Sequence, residues 1–90
     1  MVVPIHDLTT PLRVSDLLYT AHVMGRRRAD DGLWEGWIEF RLSDGSATLR
    51  TGRETVQSNL QSLKYWATGL EPTYLDGALA RAILLSRHAA

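Results

Sequence analysis

The chain has 90 residues, 44% hydrophobic and 22% charged, with a formal net charge of zero and no cysteine. Such a length supports one core and buries roughly 60–65% of the surface the unfolded chain exposes. Zero net charge excludes nucleic-acid binding by bulk charge and leaves only local basic patches. The missing cysteines exclude a disulfide framework and thiolate metal sites. No apolar run reaches the length of a membrane span, and Met1 to Asp7 lacks the basic start and long apolar stretch of a signal peptide. A cytoplasmic protein without membrane contact is the expectation.

Residues 1–16 carry Pro4, Thr9, Thr10 and Pro11, which suit an extended arm better than a helix. Its Val3, Ile5 and Leu8 are candidates to dock on the core or on a second subunit. Residues 17–90 read as a single α+β domain. Strands are predicted at Leu17–Gly25, Leu33–Leu42 and Ala47–Thr51, separated by Asp31-Gly32 and Asp44-Gly45. Asp-Gly is a strong hairpin signal, because a type I′ turn needs positive φ at both central residues. With both pairs taken as two-residue turns, Arg26 faces Trp37, Arg28 faces Glu35, Phe40 faces Leu49 and Glu39 faces Arg50. Trp34, Ile38, Phe40, Leu42, Val23, Ala21, Ala47 and Leu49 then share one face. Glu35, Trp37, Glu39, Arg41, Arg26, Met24, His22 and Arg50 share the other.

Thr51-Gly52-Arg53-Glu54 matches a capping box. The spacing of Val56, Leu60, Leu63 and Ala67 predicts a helix after it, ended by Gly69. Pro72 and Thr73 open a second helix reaching His88, with Leu75, Leu79, Ala82 and Ile83 inward; Gly77 within it hints at a close helix contact. The predicted fold is a three-stranded antiparallel β-meander followed by two helices packed on one face (βββαα). Its first strand, or the arm, is expected to meet a second subunit, because an unfinished edge ends paired, covered or charged.

The helix-free face carries the candidate site. Trp37 with Arg26, Glu35, Glu39, Arg41 and Arg50 reads as a partner-binding surface, since tryptophan and arginine dominate binding hot spots. The plain alternative is a cation–π pair of Arg26 with Trp37. Arg26-Arg27-Arg28 reads either as a phosphate contact or as a loop neutralised by Asp30 and Asp31. Arg50, Gly52 and Arg53, at the predicted helix start, form a candidate anion site, although Glu54 places negative charge there. Tyr65, Trp66 and Tyr74 bracket the helix–helix turn and read as packing or as a pocket wall. His6, His22 and His88 lack metal-ligand spacing, and no serine stands in a Gly-x-Ser-x-Gly elbow. No catalytic residue, metal site or cofactor is therefore predicted.

The words Trp34-Glu35-Gly36-Trp37-Ile38-Glu39-Phe40, Arg50-Thr51-Gly52-Arg53-Glu54-Thr55-Val56-Gln57 and Tyr65 to Leu79 resemble a group of short bacterial proteins of unassigned function. That resemblance covers about residues 19–83 and implies no activity. Asp31-Gly32-Leu33-Trp34 is more loosely similar to a fragment of HicB-like antitoxin domains, but the Pro-Gly-Cys stretch of that family is absent. The double-stranded-RNA-binding fold also has three strands and a covering helix, but its basic helix start is missing here. The residues together point to a non-enzymatic protein-interaction or regulatory module that self-associates as a homodimer or small oligomer. The alternative is a nucleic-acid-binding domain using the open sheet face and the basic hairpin loop.

Overall fold

Two long strands carry the sheet in the computed structural model, which describes residues 1–88. They are β3 (Leu17–Arg27) and β4 (Trp34–Leu42). They pair antiparallel from Tyr19 opposite Leu42 to Arg27 opposite Trp34. Each outer flank is made of two short strands in series. On the β3 side these are β1 (Val2–Asp7) and β2 (Leu12–Val14); on the β4 side they are β5 (Thr48–Arg50) and β6 (Thr55–Gln57). Two helices follow, α1 (Leu60–Thr68) and α2 (Pro72–His88).

The α+β class is as expected, but the sheet has six strands and is not the three-stranded meander. Residues 1–16 supply two of the missing strands. Pro4 is tolerated because β1 is an edge, where no ladder donor is required on the outer side. A bulge between Pro4 and His6 adds Ile5 to the helix side. The β2–β3 hairpin turns at Ser15-Asp16, with Ser15 at φ 54, a turn without the glycine that marks such corners in sequence. Because β1 and β2 occupy one side of β3 and β4 the other, the first predicted strand is central and offers no edge to a second subunit.

The last strand replaces the expected helix start. Thr51 is buried and works as a ladder residue: its N–H donates to the Ile38 carbonyl at 2.9 Å, and its hydroxyl accepts from the Ile38 N–H at 3.1 Å. The Thr51 hydroxyl is thereby committed to β4 and caps nothing. Thr55-Val56-Gln57, rich in β-branched residues, pairs with Trp34–Gly36. The helix begins eight residues later than the Thr51 cap implied, at Leu60. Its cap is Asn59, whose side chain accepts from the Ser62 N–H at 2.8 Å.

The second hairpin keeps its predicted register, with Phe40 opposite Leu49 and Glu39 opposite Arg50. The first slides by two residues, so that Arg26 faces Glu35 and Met24 faces Trp37. Its loop is Ala29–Gly32, closed by the Arg28 N–H donating to the Leu33 carbonyl at 2.7 Å and the Gly32 N–H donating to the Arg28 carbonyl at 3.0 Å. The Asp31 carboxylate accepts from the Leu33 N–H at 3.0 Å and pairs with Arg28 at 2.7 Å, which holds the wider loop. Only Gly32 and Gly45 take positive φ in these loops, so neither Asp-Gly pair forms a type I′ turn. A slip of two preserves side-chain parity, and both faces survive it.

Ala21, Val23, Ile38 and Phe40 form the buried sheet side of the core against Ala67, Leu75, Ala78, Leu79 and Ala82. Ile83, counted with the inward stripe, is half-buried. α1 crosses the end of the sheet, touching β1, β4 and β6, while α2 lies on β4 and β5. Gly25 and Gly36 stand opposite each other, and a Cβ on either would come within 2.7 Å of a Leu63 methyl. Leu63, fully buried, fills that glycine-lined hole. At Gly77 an added Cβ would meet only Arg81 of its own helix at 3.5 Å, so no close helix contact explains it.

Leu63→Ala should cost about 2–5 kcal/mol in urea denaturation, as buried leucine truncations do. Gly36→Ala should also destabilise, but markedly less when Leu63 is already alanine. An equal cost in both backgrounds would show that the glycine pair and Leu63 are energetically independent.

Candidate interaction face

The strand registers place the side chains of the helix-free face in rows across the sheet. One row reads Val2, Arg26, Glu35, Val56 from β1 to β6. The next reads Pro4, Met24, Trp37. A third reads Asp7, His22, Glu39, Arg50, and a fourth Thr20, Arg41, Thr48. All six residues predicted for partner binding are thus gathered on one surface. Met24 and His22, assigned to this face from the sequence, lie there too, and Val2, Pro4, Asp7, Thr20, Thr48 and Val56 complete it. The sequence reads β1 as part of an extended arm, and Val56, which it sets on a helical stripe, is instead an edge-strand residue opposite Glu35.

The charges of this face are mostly paired with one another. Arg26 donates to Glu35 at 2.9 Å, and Arg53 approaches the other Glu35 oxygen at 3.6 Å. Arg41 donates to Glu39 at 3.2 Å. His22 sits between Asp7 and Thr20, with Nδ1 2.7 Å from the Asp7 carboxylate and Nε2 2.8 Å from the Thr20 hydroxyl. The hydrogen bond from His22 draws the Asp7 carboxyl below the ordinary range, and that from Arg26 does the same for Glu35.

Trp37 faces away from both helices, as predicted, yet it is only 4% exposed. The arginine above it is Arg50, 4.5 Å from the ring centroid, in place of the predicted Arg26, which the register shift moves to Glu35. Arg50 has no carboxylate partner among the described residues, and its Nε donates to the Thr51 carbonyl at 3.3 Å. The Trp37 indole N–H is buried without an acceptor, an uncommon condition for a buried donor.

The candidate anion site does not sit at a helix start. Arg50, Gly52 and Arg53 lie in and beside the loop joining β5 to β6, where the Thr51 and Glu54 N–H groups bond to Ile38 and Gly36. Glu54 is held by the Tyr74 hydroxyl at 2.5 Å and by Arg81. Burial, and then the Glu54 carboxylate, push the Tyr74 phenol up to about 12. Tyr74 also meets Trp66 edge-on at 6.2 Å, whereas Tyr65 is largely exposed. Trp66 packs against the core, while Tyr74 stays partly open to solvent and Tyr65 and Trp66 line a shallow surface cleft. Partners 20 and 27 residues apart leave no local sequence signal. In the basic run, Arg28 is engaged by Asp30 and Asp31 and Arg26 by Glu35.

A separate cleft of about 420 Å³ opens between the β1–β2 connection and the α1–α2 turn, with Leu8, Leu12, Leu70 and Leu75 among its lining residues and His6, Thr9 and Thr68 also present. No family model matches the chain, and no curated protein or solved structure gives a significant match. No helix among the described residues is long and apolar enough to cross a membrane.

Both lowered carboxyls make folding favour the ionised form, so their contribution is complete above the ordinary carboxylate range near pH 4 and disappears as pH falls through the lowered values. Urea midpoints should accordingly drop between pH 6 and about pH 3, and Glu35→Gln should flatten that drop. An unchanged acid limb in Glu35→Gln would contradict the Arg26–Glu35 assignment.

Proposed function

We propose that this chain is a non-enzymatic protein-interaction module, cytoplasmic, that contacts its partner through the helix-free face of the sheet. The observation that supports this is the layout of that face. A band of Pro4 and Met24, alongside a Trp37 ring capped by Arg50, is bordered by rows of charged side chains, and neither helix lies over it. Apolar centres with polar rims, rich in tryptophan and arginine, are the anatomy of protein interfaces.

The nucleic-acid alternative draws less support. Stacking of a base needs an accessible ring face, and Trp37 lies beneath Arg50. The arginines that would meet phosphate, Arg26 and Arg28, are already paired with carboxylates.

The test maps contacts on the isotope-labelled chain by NMR, titrated with unlabelled chain and with proteins retained on it from cell extract. The expected shifts fall on the Trp37 indole, the Met24 methyl and the Arg26 and Arg41 amides. Shifts confined to α1, α2 or the Leu70–Leu75 cleft would overturn the reading. Salt-sensitive binding of labelled oligonucleotide at the same sheet residues would favour the alternative.

A further inference from the structure

We infer that the occupant of the helix-free face is a second copy of this chain, related by a twofold axis that runs parallel to the strands between β3 and β4. The inference rests on the interaction reading above and names its partner. Two antiparallel sheets stack face to face about 10 Å apart with strands nearly aligned. A twofold along the strands exchanges the columns of the face and leaves each row opposite itself. Val2 then meets Val56, Arg26 meets Glu35, and Met24 meets Trp37. In the third row His22 meets Glu39, and Asp7 meets Arg50. In these rows every carboxylate faces a cation or imidazole, Val2 and Met24 face apolar side chains, and Pro4 faces the β5–β6 connection, which supplies no paired residue to its row.

The charges also choose this axis over its rival. A twofold across the strands would exchange the first and third rows, setting Glu35 over Glu39 and Arg26 over His22. Like charges directly opposed disfavour that arrangement.

The Asp7–Arg50 contact is the informative one. Within a single copy these residues lie in the outermost columns of one row, roughly 14 Å apart at three strand spacings. Arg50, without a carboxylate partner among the described residues, gains one from the second copy. Each residue lies about 7 Å from the axis, so an inter-sheet crossing near 30° displaces the pair by about 4 Å, within the span of an arginine side chain. The face itself, four strands wide by four side-chain rows, offers roughly 500 Å² per copy, which places the dimer at the small, weakly associating end of specific interfaces.

Sedimentation velocity across a concentration series, on full chains whose folding is verified by circular dichroism, tests the inference. The wild type should shift from monomer to dimer in the micromolar range. Asp7→Arg sets two arginine–arginine contacts in the homodimer, and Arg50→Asp sets two carboxylate–carboxylate contacts; each should weaken association at least tenfold. An equimolar mixture of these two variants restores opposite charges at both contacts and should recover dimer, as a heterodimer detectable when one variant carries a mass tag. Dimerisation of both single variants at wild-type strength would place the contact elsewhere and overturn the inference. Failure of the mixture to recover dimer would overturn this axis. A wild type that stays monomeric at high micromolar concentration would remove the second copy as occupant, while the interaction reading would still stand if another protein shifted the Trp37 and Met24 resonances.

Discussion

Leu63 enters the sheet where Gly25 and Gly36 face each other across β3 and β4, and the rest of the molecule is arranged around that insertion. Two glycines in directly paired positions leave a hole with no Cβ on either wall, and a leucine fills it at full burial. Ile5 and Thr55 close its sides, with atoms 3.0 Å and 3.1 Å from where the glycine Cβ atoms would stand. The contact therefore fastens α1 to both central strands and to both flanks at once. It also decides which face is covered, because both helices among the described residues follow on the Leu63 side.

The consequence appears on the opposite face. Neither helix among the described residues covers it, so Trp37 is shielded by side chains, the Arg50 guanidinium among them, while the surrounding charges are tied into pairs across strands (Asp7–His22, Arg26–Glu35) and along β4 (Glu39–Arg41). Such a surface is stable in water, since its ions are partly solvated and matched. It also carries a desolvated centre and an indole N–H without an acceptor, which is unusual for a surface with no further role. The pairing of β3 with β4 makes the face complementary to itself, because a twofold along the strands sets Arg26 against Glu35 and Met24 against Trp37 between copies as they stand within one.

Much of this was legible from residue alternation. The period-two pattern in Leu33–Leu42 separated Trp37, Glu35 and Glu39 from Ile38 and Phe40, and a two-residue error in the first hairpin left that separation intact. The second helix was legible because Leu75, Leu79 and Ala82 repeat at helical spacing over a long segment bounded by Pro72. The failures arose where side chains compete for backbone partners. Thr51 and Glu54 satisfy a capping pattern, but their polar groups are taken by Ile38 and by Tyr74 with Arg81, contacts made across distant sequence. The edge strands were hidden for a related reason. Three-residue segments such as Leu12–Val14 and Thr55–Gln57 are too short to display a period, and only the long strands beside them make them strands.

The central claim, that the helix-free face is where this chain meets its partner and that the partner is another copy, has a direct spectroscopic test. In a mixture of copies carrying a ¹³C-labelled Met24 methyl with unlabelled copies, an isotope-filtered NOE experiment reports only contacts between molecules. The account predicts transfer from that methyl to the Trp37 ring of the other copy. Intermolecular transfer reaching Tyr65 or Leu84 on the helices, with none to Trp37, would contradict it.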